Sequence, residues 1–197
     1  MQYKVLAIDK TAEEYASLLE HPEYYAEKVA NLKPESRRLL EVLAVRYLLK
    51  EMTGVEQEVV YDTYGSPSLK DSGKKISISH TDGFVAAIIA DSPVGIDVER
   101  RGKRVERVKS KFLQSSEEAL CENTSDKQLA MHLIWSAKEA VFKFLGQEYY
   151  DLQNLTCITR FDFGNNVMSM DVKGKPAPLT IHFEFTESFV LCYSILD

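Results

Sequence analysis

The chain has 197 residues, of which 27% are charged and 45% hydrophobic, and its formal net charge is −6. This composition is too apolar for an intrinsically disordered protein, and the length allows one or two compact units with a sizeable core. No segment approaches the ~18 consecutive apolar residues of a membrane-spanning helix. The N-terminus lacks the apolar core of a secretory signal. The three cysteines, Cys121, Cys157 and Cys192, lack CxxC spacing, so we expect reduced, mostly buried thiols in a cytoplasmic protein.

The charge is unevenly distributed along the chain. The segment Arg100–Lys111, which we call the basic island, holds seven basic residues and one acidic residue, so the remainder is far more acidic than the net charge indicates. A concentrated positive segment on an acidic chain favours one anionic partner bound at one place. The alternatives are a solvated linker and a nucleic-acid patch, and the lack of aromatic residues in the island argues against the latter.

The N-terminal half begins with helical periodicity. It predicts a helical stretch over residues 11–31, interrupted at His21-Pro22, and a longer helix from Ser36 to Lys50 with Ser36 as its N-cap. Alternation and turn residues then predict an antiparallel meander, with strands at Val59–Tyr61, Lys75–Ser79, Phe84–Ala90 and Val94–Glu99.

The C-terminal half repeats this order of elements. Helices are predicted at 115–121 and 126–145, followed by strands at 157–163, 167–172, 179–186 and 189–195. Two successive helix-then-sheet units predict an α+β fold with a pseudo-duplicated two-half architecture, each half a long helix packed on a small antiparallel sheet. We place the halves at residues 1–99 and 100–197, with the active site at the seam between them.

The strand Val94–Glu99 carries two carboxylates on one face. Alternation places Ile96 and Val98 on one side of the strand, and Asp97 and Glu99 on the other. Two like charges held close together need a counter-charge. A divalent cation bound through oxygen, with room left for phosphate ligands, supplies one. The alternative is a solvated polar face on an edge strand.

The helix predicted over 126–145 carries a polar stripe. Trp135, Glu139 and Lys143 recur at i, i+4 and i+8 and therefore share one face. The stripe predicts either a surface ion pair of Glu139 with Lys143, or a third metal carboxylate with a lysine directed at a phosphate.

A third group is Ser79-His80, where a strand enters the turn Thr81-Asp82-Gly83. A histidine in this place either donates to a phosphate, acts as an acid or caps the turn. With no other histidine near it in sequence, a metal role is weakly supported.

Three motifs, in their order and spacing, resemble the 4′-phosphopantetheinyl transferase superfamily. They are the S-H pair at 79–80, G-I-D-V-E at 95–99 and W-S-A-K-E-A-V-F-K at 135–143. The spacing is similar to the single-chain surfactin-synthetase-activating type, in which one chain holds two similar halves. Enzymes of this family transfer the 4′-phosphopantetheine arm of coenzyme A to a serine of an apo acyl or peptidyl carrier protein and release 3′,5′-ADP, with Mg²⁺ as cofactor. The resemblance therefore implies this activity, with coenzyme A as co-substrate.

The resemblance also implies a role for individual residues. It places Asp97, Glu99 and Glu139 on the magnesium ligands. The catalytic set that it implies is Glu117, Glu139 and Lys143, and the set that binds coenzyme A is Arg37, Ser79, His80 and Lys143. Glu117 matches the glutamate proposed as the base for the carrier serine, although the helix dipole favours an acid at a helix N-terminus in any case.

Three further residues, Arg38, Arg46 and Ser66, bear on the implied coenzyme A site. Arg37 matches the arginine that binds the 3′-phosphate, whereas the adjacent Arg38 is rotated by about 100° on a helix and is the poorer candidate. Arg46, later on the same helix, is equally compatible with a surface or structural role. Ser66, in Gly65-Ser66-Pro67, departs from the family, which has a lysine there that reaches a phosphate.

The resemblance finally implies a partner. Carrier proteins are usually acidic beside their modified serine, so we expect the carrier to dock near Arg100–Lys111. We expect a monomer without nucleic-acid or membrane partners. The carrier's pathway, whether fatty acid, polyketide or nonribosomal peptide synthesis, stays open. The alternative function is a degenerate relative that binds coenzyme A or a nucleotide without transfer, which only Ser66 favours.

Overall fold

The computed structural model of the chain describes residues 1–146 and 151–195. The chain divides into two compact units, the first formed by residues 1–94 and the second beginning at Gly95. The first unit contains β1 (Gln2–Ala7), α1 (Ala12–Ser17), a 3-10 turn (Pro22–Tyr24), α2 (Ala26–Val29), α3 (Arg37–Thr53), β2 (Val59–Tyr61), β3 (Pro67–Leu69), β4 (Lys75–Thr81) and β5 (Phe84–Ala90).

The second unit repeats this arrangement in the described residues. It contains β6 (Val94–Arg100), α4 (Arg104–Val108), a 3-10 turn (Lys109–Lys111), α5 (Ser115–Glu122), α6 (Lys127–Leu145), α7 (Leu152–Leu155), β7 (Thr156–Asp162), β8 (Val167–Val172), β9 (Leu179–Phe185) and β10 (Phe189–Ile195). The segment 147–150 of the sequence lies outside the described residues.

The two sheets have the same topology. Their strand orders are β1-β5-β4-β3-β2 and β6-β10-β9-β8-β7, so the first strand of each sheet pairs with the last. In each unit the long helix, α3 or α6, follows the first strand and precedes the other four. α3 packs on β1 and β5, and α6 packs on β10. The predicted α+β fold with two similar halves is thereby confirmed.

The long helix of the first unit begins and ends at the residues that its sequence indicates. The Ser36 side chain accepts a hydrogen bond from the backbone N–H of Leu39, which satisfies one of the first helical donors. Gly54 ends the helix with a φ of +76°, a left-handed conformation that glycine adopts without steric penalty. The helix Ser36 to Lys50 is therefore confirmed and continues to Thr53.

Several short elements of the described residues were not predicted, among them β1, β3, α4 and α7. β1 has no fully buried residue and pairs on one side only, with β5, so its sequence alternates weakly. β3 is three residues long and begins at a proline. α4 lies inside the basic island and buries only Val105, so its charged residues masked the helical pattern.

The boundary between the halves falls earlier than predicted. We placed it between residues 99 and 100, with Val94–Glu99 as the last strand of the first meander. β6 instead joins the second sheet beside β10. Alternation indicates that a strand exists but not which strand it pairs with, and β10 lies almost a hundred residues further along the chain. The place of the active site relative to this boundary stays a prediction.

The cysteines agree with the expectation of mostly buried thiols. Cys121 and Cys192 are buried, Cys157 is half-buried, and all three are free. Burial raises the pKa of Cys121 to about 11, which makes this thiol unreactive. None of the helices in the described ranges is long and apolar enough to cross a membrane.

β6 and α6 approach each other closely at Gly95. A Cβ atom added to Gly95 would lie 1.9 Å from the carbonyl oxygen of Ala140 and 2.9 Å from Cβ of Phe144. The backbone at Ala140 cannot yield as the end of a flexible side chain would. Only glycine therefore allows α6 to lie this close to β6.

We expect Gly95→Ala to lower the free energy of unfolding by at least about 2 kcal/mol, because the added methyl group overlaps backbone atoms. Urea denaturation followed by circular dichroism measures this loss. Gly102→Ala is the matched control, since nothing lies within 4 Å of a Cβ atom at Gly102. Equal stabilities of the two variants would contradict the close approach.

Candidate active site

The face of β6 that carries Gly95 also carries the two acidic residues. Asp97 is 4% exposed, and its Oδ1 accepts a hydrogen bond from Nζ of Lys143 at 2.8 Å. Nζ of Lys143 also donates to the carbonyl of Ile96 at 3.0 Å. Glu99 accepts at Oε1 from Nε1 of Trp135 at 2.9 Å. The predicted stripe of α6 therefore faces the predicted acidic face of β6.

Glu139 stands on this stripe, between Trp135 and Lys143 in sequence. Its pKa is raised to about 7, mainly by burial and then by the charge of Asp97, with a smaller contribution from Glu99. Lys143 opposes the shift. The three carboxylates are thus close enough to destabilise one another's charge, which one lysine only partly relieves.

The three carboxylates fit a hard divalent cation in their chemistry but are not gathered around one in the structure. In residues 1–146 and 151–195, no group of three or more His, Cys, Asp and Glu side chains is arranged to hold a metal ion. Asp97 and Glu99 instead contact Lys143 and Trp135. Carboxylate oxygens are the ligands that Mg²⁺ prefers, and the raised pKa of Glu139 marks excess negative charge. Their role as metal ligands stays a prediction.

Glu117, the predicted base, is completely buried and fully hydrogen-bonded. Its Oε2 accepts from Nζ of Lys138 at 2.7 Å and from the backbone N–H of Gln114 at 2.8 Å. Its Oε1 accepts from the backbone N–H of Ile158 at 2.7 Å. These three donors join Glu117 to α6, to the N-terminus of α5 and to β7, which gives it a structural role. Its role as the base for the carrier serine stays a prediction.

Lys138, which precedes Glu139 in the motif, is the partner that the sequence did not reveal. It is 0% exposed, and besides Glu117 it donates to the carbonyl of Phe112 at 2.7 Å and to that of Thr156 at 3.0 Å. Burial lowers its pKa, and Glu117 opposes this shift. All three ammonium protons are used, so the pair joins α5, α6 and β7. The motif spacing placed Lys138 beside a buried face, but only the fold brings Glu117 to it.

The predicted coenzyme A residues of the first unit meet around a residue that the sequence did not single out. Glu41 on α3 is 4% exposed. It contacts Nε of Arg37 at 2.7 Å and Nδ1 of His80 at 3.0 Å. Ser79 is 4% exposed in β4, next to His80. Arg38 also contacts Glu41, at 3.4 Å, and donates to Nε2 of His80, which corrects our expectation that it points away.

Arg46, the other arginine of this helix, is buried. Its guanidinium carbon lies 6.0 Å from the centre of the Tyr61 ring, and its Nη2 donates to the Tyr61 hydroxyl at 3.5 Å. The sequence left a surface role and a structural role open for Arg46, and its buried position fits the structural role.

The basic island is a folded surface rather than a solvated linker. Val105 is buried under α4, and the backbone N–H of Gly102 donates to Nε2 of the buried His132 at 3.0 Å. Arg101 contacts Asp126 at 2.5 Å, and Lys109 contacts Glu118 at 3.0 Å. The remaining basic residues are exposed: Arg100, Lys103, Arg104, Arg107 and Lys111.

A cavity of about 290 Å³ connects the island to the acidic face. Its lining includes Glu99, Trp135, Arg100, Arg104 and Lys111. The cavity thus joins one of the predicted metal carboxylates to three cations of the island.

Comparison with known proteins identifies the class to which this fold and site belong. The model of the 4′-phosphopantetheinyl transferase superfamily matches residues 93–194, just over half of the chain. The chain therefore belongs to this superfamily, as its motifs indicated. The match includes β6, the basic island and α6, but not the segments that carry Arg37, Ser79 and His80.

Two curated relatives carry the same family name. The 4′-phosphopantetheinyl transferase gsp of Aneurinibacillus migulanus is 28% identical over 128 residues, which are 62% of this chain and 54% of that protein. The 4′-phosphopantetheinyl transferase psf-1 of Bacillus pumilus is 28% identical over 138 residues, or 66% of this chain and 59% of that protein. The chain thus spans between half and three fifths of the length of these relatives.

We expect Lys138→Met to lower the free energy of unfolding by about 3–5 kcal/mol, because it leaves the charge of Glu117 buried without its partner. The double variant Glu117→Gln/Lys138→Met is expected to recover part of this loss, since the charge is then gone. Urea denaturation measures both. Lys127→Met, which removes only the exposed pair with Glu122, is the control, and a Lys138 variant as stable as this control would refute the structural role.

Proposed function

We propose that the protein transfers the 4′-phosphopantetheine arm of coenzyme A to a serine of an apo acyl or peptidyl carrier protein and releases 3′,5′-ADP. The observation that carries this proposal is the acidic face of β6 and α6, formed by Asp97, Glu99 and Glu139 with Lys143 beside them. It lies within the residues that match the superfamily. We also propose that the chain acts as a monomer.

In the proposed reaction the oxygen of the carrier serine bonds to the β-phosphorus of coenzyme A. The bond from this phosphorus to the bridging oxygen breaks, 3′,5′-ADP leaves, and the serine gives up its proton. Asp97, Glu99 and Glu139 would hold Mg²⁺, which supplies neutralisation of the pyrophosphate charge when bound. Arg37, Ser79 and His80 bind the phosphates of coenzyme A. The proposed catalytic side chains are Glu117, the predicted acceptor of the serine proton, together with Glu139 and Lys143.

Lys143 is suited to act on the pyrophosphate because it already bonds an anionic oxygen. Its Nζ lies 2.8 Å from Oδ1 of Asp97. If Asp97 held a cation, Lys143 would be free to bond a phosphate oxygen in place of this carboxylate. An ammonium group in that place stabilises the negative charge that develops on the leaving group.

The carrier protein docks on the basic island in this proposal. Five exposed cations along α4 and its flanks present a positive surface to an acidic partner. The anchoring of this surface by Val105 and His132 fixes its orientation before the partner binds, which reduces the entropy lost on association. The cavity of about 290 Å³ leads from this surface to Glu99.

We expect Asp97→Asn and Glu139→Gln each to reduce transfer more than about a hundredfold, because each removes a charge that holds the cation. Incubation with coenzyme A, Mg²⁺ and several apo carriers, followed by intact mass measurement, detects the transfer. EDTA is expected to stop the reaction of the unaltered chain, and excess Mg²⁺ to restore it.

The control for these variants is Glu122→Ala, which removes an exposed carboxylate at the end of α5. Unaltered turnover in the Asp97 or Glu139 variant would refute the metal assignment. Binding of coenzyme A without a mass gain on any carrier would favour the alternative, a relative that binds coenzyme A or a nucleotide without transfer.

We expect the double reversal Arg104→Glu/Arg107→Glu to raise the KM for the carrier at least about tenfold and to leave the KM for coenzyme A within twofold, because the island attracts only the acidic carrier. Steady-state kinetics at two salt concentrations measures both constants. Lys173→Glu/Lys175→Glu, on an exposed turn after β8, makes the same charge change. An equal rise of both KM values, or the same rise in the control, would contradict docking on the island.

A further inference from the structure

The cluster around Glu41 separates its negative and positive groups by depth. The side chain of Glu41 is 5% exposed, whereas those of Arg37, Arg38 and His80 are between 38% and 56% exposed. An anion that approaches from solvent therefore meets the two guanidinium groups before it meets the carboxylate. The carboxylate acts on the donors from the buried side.

The hydrogen bonds of the cluster define the protonation of His80. Arg38 has no acceptor atom, so at Nε2 of His80 the arginine donates and the ring nitrogen accepts. The proton of the neutral ring is then on Nδ1, which donates to Oε2 of Glu41 at 3.0 Å. Glu41 thus fixes both the orientation and the tautomer of the ring.

Glu41 also orients the two arginines. Arg37 uses its Nε for Oε1 of Glu41 at 2.7 Å, while its Nη1 lies 3.7 Å from the exposed Asp82. Arg37 and Glu41 are four residues apart on α3, and Arg38 and Glu41 three apart, so both pairs lie on neighbouring turns. An exposed ion pair such as that with Asp82 contributes little, so a phosphate can replace Asp82 as the partner of Arg37.

We propose that Arg38 is a further phosphate-binding residue and that Glu41 is a positioning residue, which together with Arg37 and His80 select a phosphate monoester. This inference rests on the proposed function, in which the monoester is the 3′-phosphate of coenzyme A. Two guanidinium groups held by one buried carboxylate match the several oxygens of a monoester, and His80, which bonds both Arg38 and Glu41, holds Arg38 in place. The positive groups are held in place before the ligand arrives.

The test compares coenzyme A with dephospho-coenzyme A, which lacks only the 3′-phosphate. We expect the unaltered chain to favour coenzyme A at least about tenfold in kcat/KM. Arg38→Gln and Glu41→Gln are each expected to raise the KM for coenzyme A about tenfold. The kcat, the KM for the carrier and the kinetics with dephospho-coenzyme A are expected to stay within twofold. Glu41→Asp is expected to restore part of the preference.

Controls separate this role from a structural one. Arg160→Gln removes an exposed guanidinium of the second unit that contacts only a neighbouring acid, Asp162, among the described contacts, and is expected to change neither preference nor KM. Thermal unfolding verifies that each variant is folded. Equal losses with both substrates would show a structural cluster, and an unaltered preference in Arg38→Gln would remove Arg38 from the site. A lower KM in Glu41→Gln would show that Glu41 repels the ligand, and would overturn its positioning role.

A separate measurement keeps the inference testable if no carrier is modified. Isothermal calorimetry with 3′,5′-ADP and 5′-ADP measures the same preference without transfer. Loss of this preference in the Arg38 and Glu41 variants would support the phosphate site even where the proposed transfer fails. No preference in the unaltered chain would refute the site itself.

Discussion

The contact between Gly95 of β6 and the backbone of Ala140 in α6 is the constraint on which the candidate active site depends. A side chain at position 95 would overlap the carbonyl of Ala140. Its absence lets the helix lie directly on the strand, so that Lys143 reaches Asp97 and Trp135 reaches Glu99. Position 95 belongs to the same strand face as the two acids, and one glycine therefore sets the distance across which the acids and the lysine interact.

The second unit contains buried acids of two kinds, which differ in whether the charge of the carboxylate is balanced by its surroundings. Glu117 receives three hydrogen bonds and the full charge of Lys138, so its carboxylate is satisfied. Asp97 and Glu139 share Lys143, and burial beside Asp97 raises the pKa of Glu139 to about 7. Unrelieved charge of this kind is typical of functional sites, because a ligand supplies the missing counter-charge.

The sequence predicted those features that depend on local periodicity. The helix from Ser36 and the stripe of Trp135, Glu139 and Lys143 follow from spacing alone, and the structure has both. The pairing of β6 with β10 and of Glu117 with Lys138 could not be predicted, because each joins segments that only the fold brings together. Glu41 was missed for the same reason: it is one of two acids on α3, and what distinguishes it is its contact with His80, which lies in β4.

The central claim is that the acids of β6 and α6 hold a divalent cation, and binding of Mn²⁺ tests it most directly. Electron paramagnetic resonance of Mn²⁺ titrated into the chain with coenzyme A present counts sites without requiring any carrier. We predict one Mn²⁺ site per chain, displaced by Mg²⁺ and lost in Asp97→Asn. The same binding in this variant as in the unaltered chain would contradict the account.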